Sequence, residues 1–147
     1  MSYNIIIGSD HAGYKLKTLI KEFLDKNYYI LNDVGTDSEE SVDYPDICNQ
    51  AINAIQQDTE AKAILICGTG IGMSIAANRH KFIRAALCYN KEAAVLARKH
   101  NDANILVLGS RMINSNDAID SVKAFLNTEF EAGRHLNRIN KIDVGNI

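Results

Sequence analysis

The stretch that most constrains the fold is Ala61 to Asn78, AKAILICGTGIGMSIAAN. Ala63-Ile64-Leu65-Ile66 is a continuous apolar run, which predicts a short strand buried on both faces rather than one with a solvated side. Gly68-Thr69-Gly70-Ile71-Gly72 then breaks the run, and a helical pattern follows. The first turn of a helix leaves backbone N–H groups unpaired and carries partial positive charge. A glycine loop leading into it can therefore receive an anion or an oxyanion at close range. Cys67 stands at the lip of that loop.

The rest of the chain repeats the same alternation. Tyr3 to Gly8 reads as a first strand, and Ser9-Asp10-His11-Ala12-Gly13 turns into a helix with Leu16, Leu19, Ile20, Phe23 and Leu24 at helical spacing, stopped at Asn27. A second strand spans Tyr28 to Val34 and ends at Gly35-Thr36, before the polar loop Asp37 to Ser41. Asp43-Tyr44-Pro45-Asp46 opens a helix with proline where its missing N–H costs nothing, and Ile47, Ala51, Ile52 and Ile55 face inward. Beyond the central unit, Ile83 to Cys88 is a fourth strand, Lys91 to Lys99 an alanine-rich helix, and His100 to Asn104 a connection to the fifth strand, Ile105 to Leu108. Ser115-Asn116-Asp117 starts a helix over Ala118 to Leu126, and Thr128 opens a further one through Glu131. The tail from Gly133 has few apolar residues for a core helix and is expected to reach across a neighbouring subunit.

Strands alternating with helices at this spacing predict a single α/β domain over residues 1–147, a three-layer α/β/α sandwich on a five-stranded parallel, Rossmann-like sheet with right-handed crossovers and a C-terminal helical arm. At 147 residues the chain suits one core. Ligands of such sheets bind at the carboxyl ends of strands. That rule collects Ser9-Asp10-His11, Cys67 to Gly72, Tyr89-Asn90 and Ser110-Arg111 on one rim.

Sixteen basic and eighteen acidic residues give a net charge of −2, which favours neither nucleic acid nor an anionic membrane as partner. The N-terminus has no charged leader region, and no apolar stretch nears the ~18 residues of a membrane span, so a cytoplasmic protein is expected. Three cysteines, Cys48, Cys67 and Cys88, lack CxxC spacing. They predict free thiols, with neither a disulfide framework nor a zinc site.

Taken singly, the polar residues leave their roles open. Cys67 by type alone is more readily a packed core thiol than a base, although a helix N-terminus can favour the thiolate. The GxGxG loop suits a tight turn or a phosphate cradle, and no lysine or full GxGxxG follows to support a nucleotide. His100 suits a proton-exchanging group or a histidine ending a helix. Arg134 and Arg138 are four apart, a spacing that puts two guanidinium groups on one helix face.

Together these residues carry a resemblance. Gly8-Ser9-Asp10-His11-Ala12-Gly13, Asp43-Tyr44-Pro45, Ile66-Cys67-Gly68-Thr69-Gly70-Ile71-Gly72, Ile75-Ala76-Ala77-Asn78, His100-Asn101-Asp102 with Asn104, Gly109-Ser110-Arg111, and Gly133-Arg134-His135 with Arg138 stand in the order found in type B ribose-5-phosphate isomerases, a group that also contains galactose-6-phosphate isomerase subunits. The chain resembles that family over almost its entire length. The resemblance implies a reversible aldose–ketose isomerisation of ribose 5-phosphate and ribulose 5-phosphate in the non-oxidative pentose phosphate pathway. It implies a cis-enediolate, no metal or organic cofactor, and a dimer or tetramer with shared active sites, the arm from about residue 128 lying in the contact. The family's catalytic base is either a cysteine at the position of Cys67 or a glutamate at the position of Ser74, and this sequence has the cysteine. The resemblance makes Cys67 the base, Thr69 its neighbour on the thiol or a sugar oxygen, and His100 the ring-opening group. Gly68, Gly70, Ile71 and Gly72 then surround the enediolate oxygen, Asp10 meets sugar hydroxyls, His11 the phosphate side, and Tyr44 covers the sugar. Arg111, Asn101, Arg134 and Arg138 complete ligand binding, while Cys48, Cys88, His80 and His135 are left as structural. The rivals are an allose-6-phosphate or galactose-6-phosphate isomerase of the same family and a non-catalytic phosphosugar-binding module on this fold.

Overall fold

The computed structural model describes residues 4–145. Five strands, β1 (Asn4–Ser9), β2 (Ile30–Asp33), β3 (Lys62–Cys67), β4 (Ala85–Leu87) and β5 (Ile105–Gly109), form one sheet in the order β2-β1-β3-β5-β4. Every neighbouring pair is parallel. Six α-helices accompany them: α1 (Tyr14–Lys26), α2 (Tyr44–Gln57), α3 (Ile71–Asn78), α4 (Lys91–Asn101), α5 (Ser115–Asn127) and α6 (Arg134–Gly145).

Alternation along the strands divides the core in two. Ile5, Ile7, Ile64, Ile66, Leu106 and Leu108 point to the layer that holds Leu16, Ile20 and Leu24 of α1, Ala94 and Ala97 of α4, and Val122 and Phe125 of α5. Ile6, Ala63, Leu65, Cys67, Ile105 and Val107 point the other way, onto Ile47, Ala51, Ile52 and Ile55 of α2 and Met73 and Ala77 of α3. Because β1, β3 and β5 are buried on both sides, their sequences read as continuous apolar runs. The three-layer α/β/α sandwich is the expected one.

Several boundaries differ from the sequence expectation, each for a local reason. The first strand runs on through Ser9, and Tyr3 lies outside the described residues. The second strand begins at Ile30 rather than Tyr28. Tyr28 takes a left-handed conformation, is 88% exposed, and with Tyr29 donates its N–H back to the last turn of α1. Leu19 stands at the edge of the α1 stripe and is 39% exposed. The fourth strand is only Ala85–Leu87, because Ile83 closes a turn on the His80 carbonyl and the Arg84 N–H is taken by the Asn104 side chain at 2.8 Å. Helix α4 continues to Asn101, so His100 belongs to the helix and not to a connection.

No helix opens at Thr128. The Thr128 carbonyl accepts from Arg98, the Glu131 N–H donates to the Lys99 carbonyl, and Ala132 and Gly133 are both left-handed, so the segment is tied along α4 until α6 begins at Arg134. The tail also contributes to its own subunit's packing: Ile139 is 4% exposed and His135 is buried.

Candidate active site

From β1 the chain steps outward to β2 on one side, and β3 then pairs with β1 on the other. Helix α1 packs on one face of the sheet and α3 on the other, so the loops after β1 and β3 leave the sheet toward opposite faces. Ser9 is in register with Ile66, and the Asp10 N–H donates to the Ile66 carbonyl at 3.1 Å, so the loop after β1 lies against the end of β3. Asp10 caps the following 3-10 turn, His11–Gly13, by accepting from the Gly13 N–H at 3.1 Å. His11 accepts at Nδ1 from the Val42 N–H at 3.2 Å, which leaves Nε2 to carry the proton of the neutral ring.

Cys67 ends β3 and is 4% exposed. Its Sγ lies 3.2 Å from the Gly70 nitrogen and accepts that N–H, so the turn presents a donor to the sulfur. Gly70 has φ +82, and a Cβ there would run into the Leu87 side chain and the Leu108 and Gly109 backbone. Only glycine makes this turn without strain. Thr69 is exposed, its Oγ1 accepts from the Ile71 N–H at 3.1 Å, and its carbonyl accepts from the Tyr89 hydroxyl at 3.2 Å. Helix α3 then starts at Ile71 with its first N–H groups toward this turn.

Two further side chains close on the loop. The Tyr44 ring, at the start of α2, packs against Gly72 so closely that a Cβ there would meet it, and the Arg111 guanidinium covers Gly68 in the same way. The Arg111 N–H donates to the Gly68 carbonyl and that of Ser110 to the Cys67 carbonyl, both at 2.9 Å. Asp10, His11, Tyr44, Cys67, Gly68, Thr69, Gly70, Ile71, Gly72 and Arg111 are thus on one rim.

The remaining predicted residues are not on that rim. Helix α4 leaves the carboxyl end of β4 and runs back for 11 residues, about 16 Å at 1.5 Å per residue. His100 and Asn101 therefore lie at the amino end of the sheet, where the Asn101 carbonyl accepts from Arg84, the residue just before β4, at 2.9 Å. His100 stacks on His135 with ring centroids 4.3 Å apart and planes at 16°. Arg134 and Arg138 share α6 with His135, and both are exposed. The His135 imidazole is held below its ordinary value by desolvation and by the fields of His100 and Arg134, with Glu131 opposing them.

His100, Glu131 and His135 are also a group of metal-type side chains, with ligand atoms within 4.8 Å of one another. The stacked rings keep their nitrogen lone pairs in nearly parallel planes, which do not converge on one point as a tetrahedral zinc requires. Cys48 and Cys88 are buried free thiols, pushed up to about 11 by burial.

One element supporting the rim escaped the sequence reading. Lys17 is wholly buried, and its ammonium donates to Asp33 Oδ1 at 2.7 Å and to the Thr36 carbonyl. It pins the start of the loop that leads through Val42 to Tyr44. The available signal was a lysine beside Leu16 and three residues before Ile20, within the apolar stripe of α1.

The profile of the ribose/galactose isomerase family matches residues 5–142. The chain belongs to the ribose/galactose isomerase family. A putative sugar phosphate isomerase of Rickettsia bellii is 49% identical over 97% of this chain and 99% of its own. Among solved structures, a ribose 5-phosphate isomerase of Thermotoga maritima superposes with a TM-score of 0.95 at 49% identity, covering 98% of this chain and 99% of that one. The ribose-5-phosphate isomerase B of Mycoplasma genitalium, solved with bound ribulose-5-phosphate, superposes with a TM-score of 0.94 at 40% identity, covering 99% and 97% of the two chains.

Proposed function

We propose that the chain is an aldose–ketose isomerase interconverting ribose 5-phosphate and ribulose 5-phosphate, with Cys67 as the base that carries the proton between C2 and C1. The observation that carries this reading is the Cys67 turn: a thiol at the end of a buried strand, with the Gly70 N–H on its sulfur and a helix N-terminus beside it. A thiolate formed there takes the C2 proton of the open-chain aldose, and the resulting cis-enediolate oxygen is received by the Gly68–Gly72 loop at the N-terminus of α3. The O2 proton passes to O1, and reprotonation at C1 then gives the ketose. No redox partner is consumed, because the two carbons exchange oxidation states within one molecule.

Asp10 then meets the sugar hydroxyls, His11 the phosphate side, and Tyr44 roofs the sugar over Gly72. Ring opening falls to His100, Asn101 and Arg111 add ligand contacts, and Arg134 with Arg138 clamps the phosphate. Since His100, Asn101, Arg134 and Arg138 stand at the far end of the sheet from Cys67 of the same chain, a complete site needs Cys67 of one subunit and His100 of another. A homodimer or a dimer-based tetramer provides this, with α6 and the segment before it in the contact. Exposed Leu136, Ile142 and Val144 on α6 supply apolar surface for it. A cytoplasmic place in the non-oxidative pentose phosphate pathway follows from that substrate pair.

The bound ribulose-5-phosphate of the Mycoplasma genitalium relative favours the pentose phosphates over the hexose phosphates. The test is a coupled assay of the purified chain on ribose 5-phosphate, allose 6-phosphate and galactose 6-phosphate. Efficient turnover of ribose 5-phosphate is expected. Turnover of a hexose phosphate alone moves the assignment to a family rival, and none at all leaves a binding module.

A further inference from the structure

The turn that ends α4 holds an aspartate in a costly conformation. Asp102 has φ 45 and ψ 46, the left-handed region, which costs an L residue about 1 kcal/mol or more. Its N–H reaches the Ala97 and Arg98 carbonyls, and the Ala103 N–H reaches back to Ala97 at 3.2 Å. The Asp102 N–H bond to the Arg98 carbonyl is that of a left-handed helix cap, for which glycine is the usual residue and asparagine the next.

The Asp102 carboxylate offsets this cost by joining two arginines. Arg98 Nη1 donates to Oδ1 at 2.9 Å, and Arg84 Nη2 lies 3.5 Å from Oδ2. Arg98, 6% exposed, also donates to the Ala103 carbonyl at 2.6 Å and to the Thr128 carbonyl at 3.2 Å, at the start of the segment leading to α6. Arg84 donates to the Asn101 carbonyl at 2.9 Å, and its Nη1 lies 3.2 Å from both carboxylate oxygens of Asp143 in the last turns of α6. One carboxylate therefore sits between two cations, each tied to a different end of the α6 region.

We propose that Asp102 is a positioning residue for the ring-opening half of the site. It touches no substrate and fixes His100 and Asn101, directly before it, against Arg134 and His135 of α6. The inference rests on the isomerase reading above and adds a residue whose role is geometric. Without the carboxylate, Arg84 and Arg98 lose their shared counter-charge and the last turn of α4 loosens, which displaces His100. A displacement of about 1 Å at a reacting group can cost about 100-fold in rate.

The substrates allow the two halves of the reaction to be read separately. Ribose 5-phosphate closes a ring through O4 and must be opened. Ribulose 5-phosphate, with O5 esterified, cannot form the five-membered hemiketal and stays open. Once it is bound, removal of its C1 proton to Cys67, exchange of that proton with solvent, and its return need no ring-opening step by His100.

The experiment compares wild type with Asp102→Asn, which keeps left-handed tolerance and an acceptor oxygen but loses the charge, and Asp102→Gly, which relieves the strain and removes the side chain. Two rates are measured: net conversion of ribose 5-phosphate, and uptake of solvent deuterium at C1 of saturating ribulose 5-phosphate by NMR. Conversion should fall about 10- to 100-fold in both variants, with deuterium uptake within about threefold of wild type. Unchanged conversion, or a parallel loss of both rates in both variants, overturns the positioning role. A wild-type chain that performs neither reaction overturns the isomerase reading itself.

Discussion

At the residue scale the three cysteines are placed very differently. Cys48 and Cys88 are sealed among aliphatic side chains and pushed up to about 11, so they stay protonated and unreactive. Cys67 is nearly as buried but sits at a strand end with a backbone N–H on its sulfur. Alkylation of the native protein near neutral pH is therefore expected to modify Cys67 alone, with activity lost in proportion. Mass spectra showing Cys48 or Cys88 modified first would contradict this. Replacing Cys67 with alanine should lower kcat by about a thousandfold while a non-reacting sugar phosphate analogue still binds, and a turnover near wild type would remove Cys67 as the base. That Cys67 stands apart from the other two cysteines was legible in the sequence, because only it is followed by the glycine pattern. Which N–H reaches the sulfur was not, since that depends on the left-handed Gly70 and on Leu108 and Gly109 packed behind it.

At the element scale, the strands and helices that form the core were read well, and the ends were read less well. β1, β3 and β5 are buried on both faces and show it as unbroken apolar runs. The edge strands β2 and β4 are short because their neighbouring residues, Tyr28 and Ile83, close turns instead, and apolar type does not distinguish a turn from a strand end. The loop from Thr36 to Tyr44 is anchored by Lys17 and Asp33. Burial by itself raises the Asp33 carboxyl, and the hydrogen bonds from Lys17, Lys21 and the Gly35 N–H outweigh it, holding the group below its ordinary 3.8. A group depressed in the folded state binds fewer protons there than in the unfolded chain, so its stabilisation is full above about pH 4 and is lost as pH falls through the folded value. Replacing Asp33 with asparagine, which strands the buried Lys17 ammonium, should destabilise the protein by about 3 kcal/mol near neutral pH. Urea titrations should show the gap between variant and wild type closing below about pH 4. A gap independent of pH would place the effect in packing rather than charge.

At the scale of the whole molecule the sequence was least informative. The motif residues stand in family order along the chain, but nothing local says that α4 carries His100 to the opposite end of the sheet from Cys67. It takes the five-stranded sheet, with one helix returning from β4, to show that Cys67 and His100 stand at its opposite ends. The His100–His135 stack lies at the end away from Cys67, beside the helix that carries Arg134 and Arg138. Replacing Arg134 with alanine should raise KM at least about tenfold with a smaller change in kcat, and an unchanged KM would remove it as a phosphate anchor. The central claim, that one active site is built from two copies of the chain, is tested most directly by mixing. Cys67→Ala and His100→Asn are each expected to be nearly inactive alone. After the two are unfolded and refolded together in equal amounts, random pairing makes half the dimers mixed, each with one intact site of two, so activity should return to about a quarter of wild type. If the mixture stays as inactive as its parents while mixed dimers are shown to form, Cys67 and His100 do not meet across subunits, and the two-copy site is contradicted.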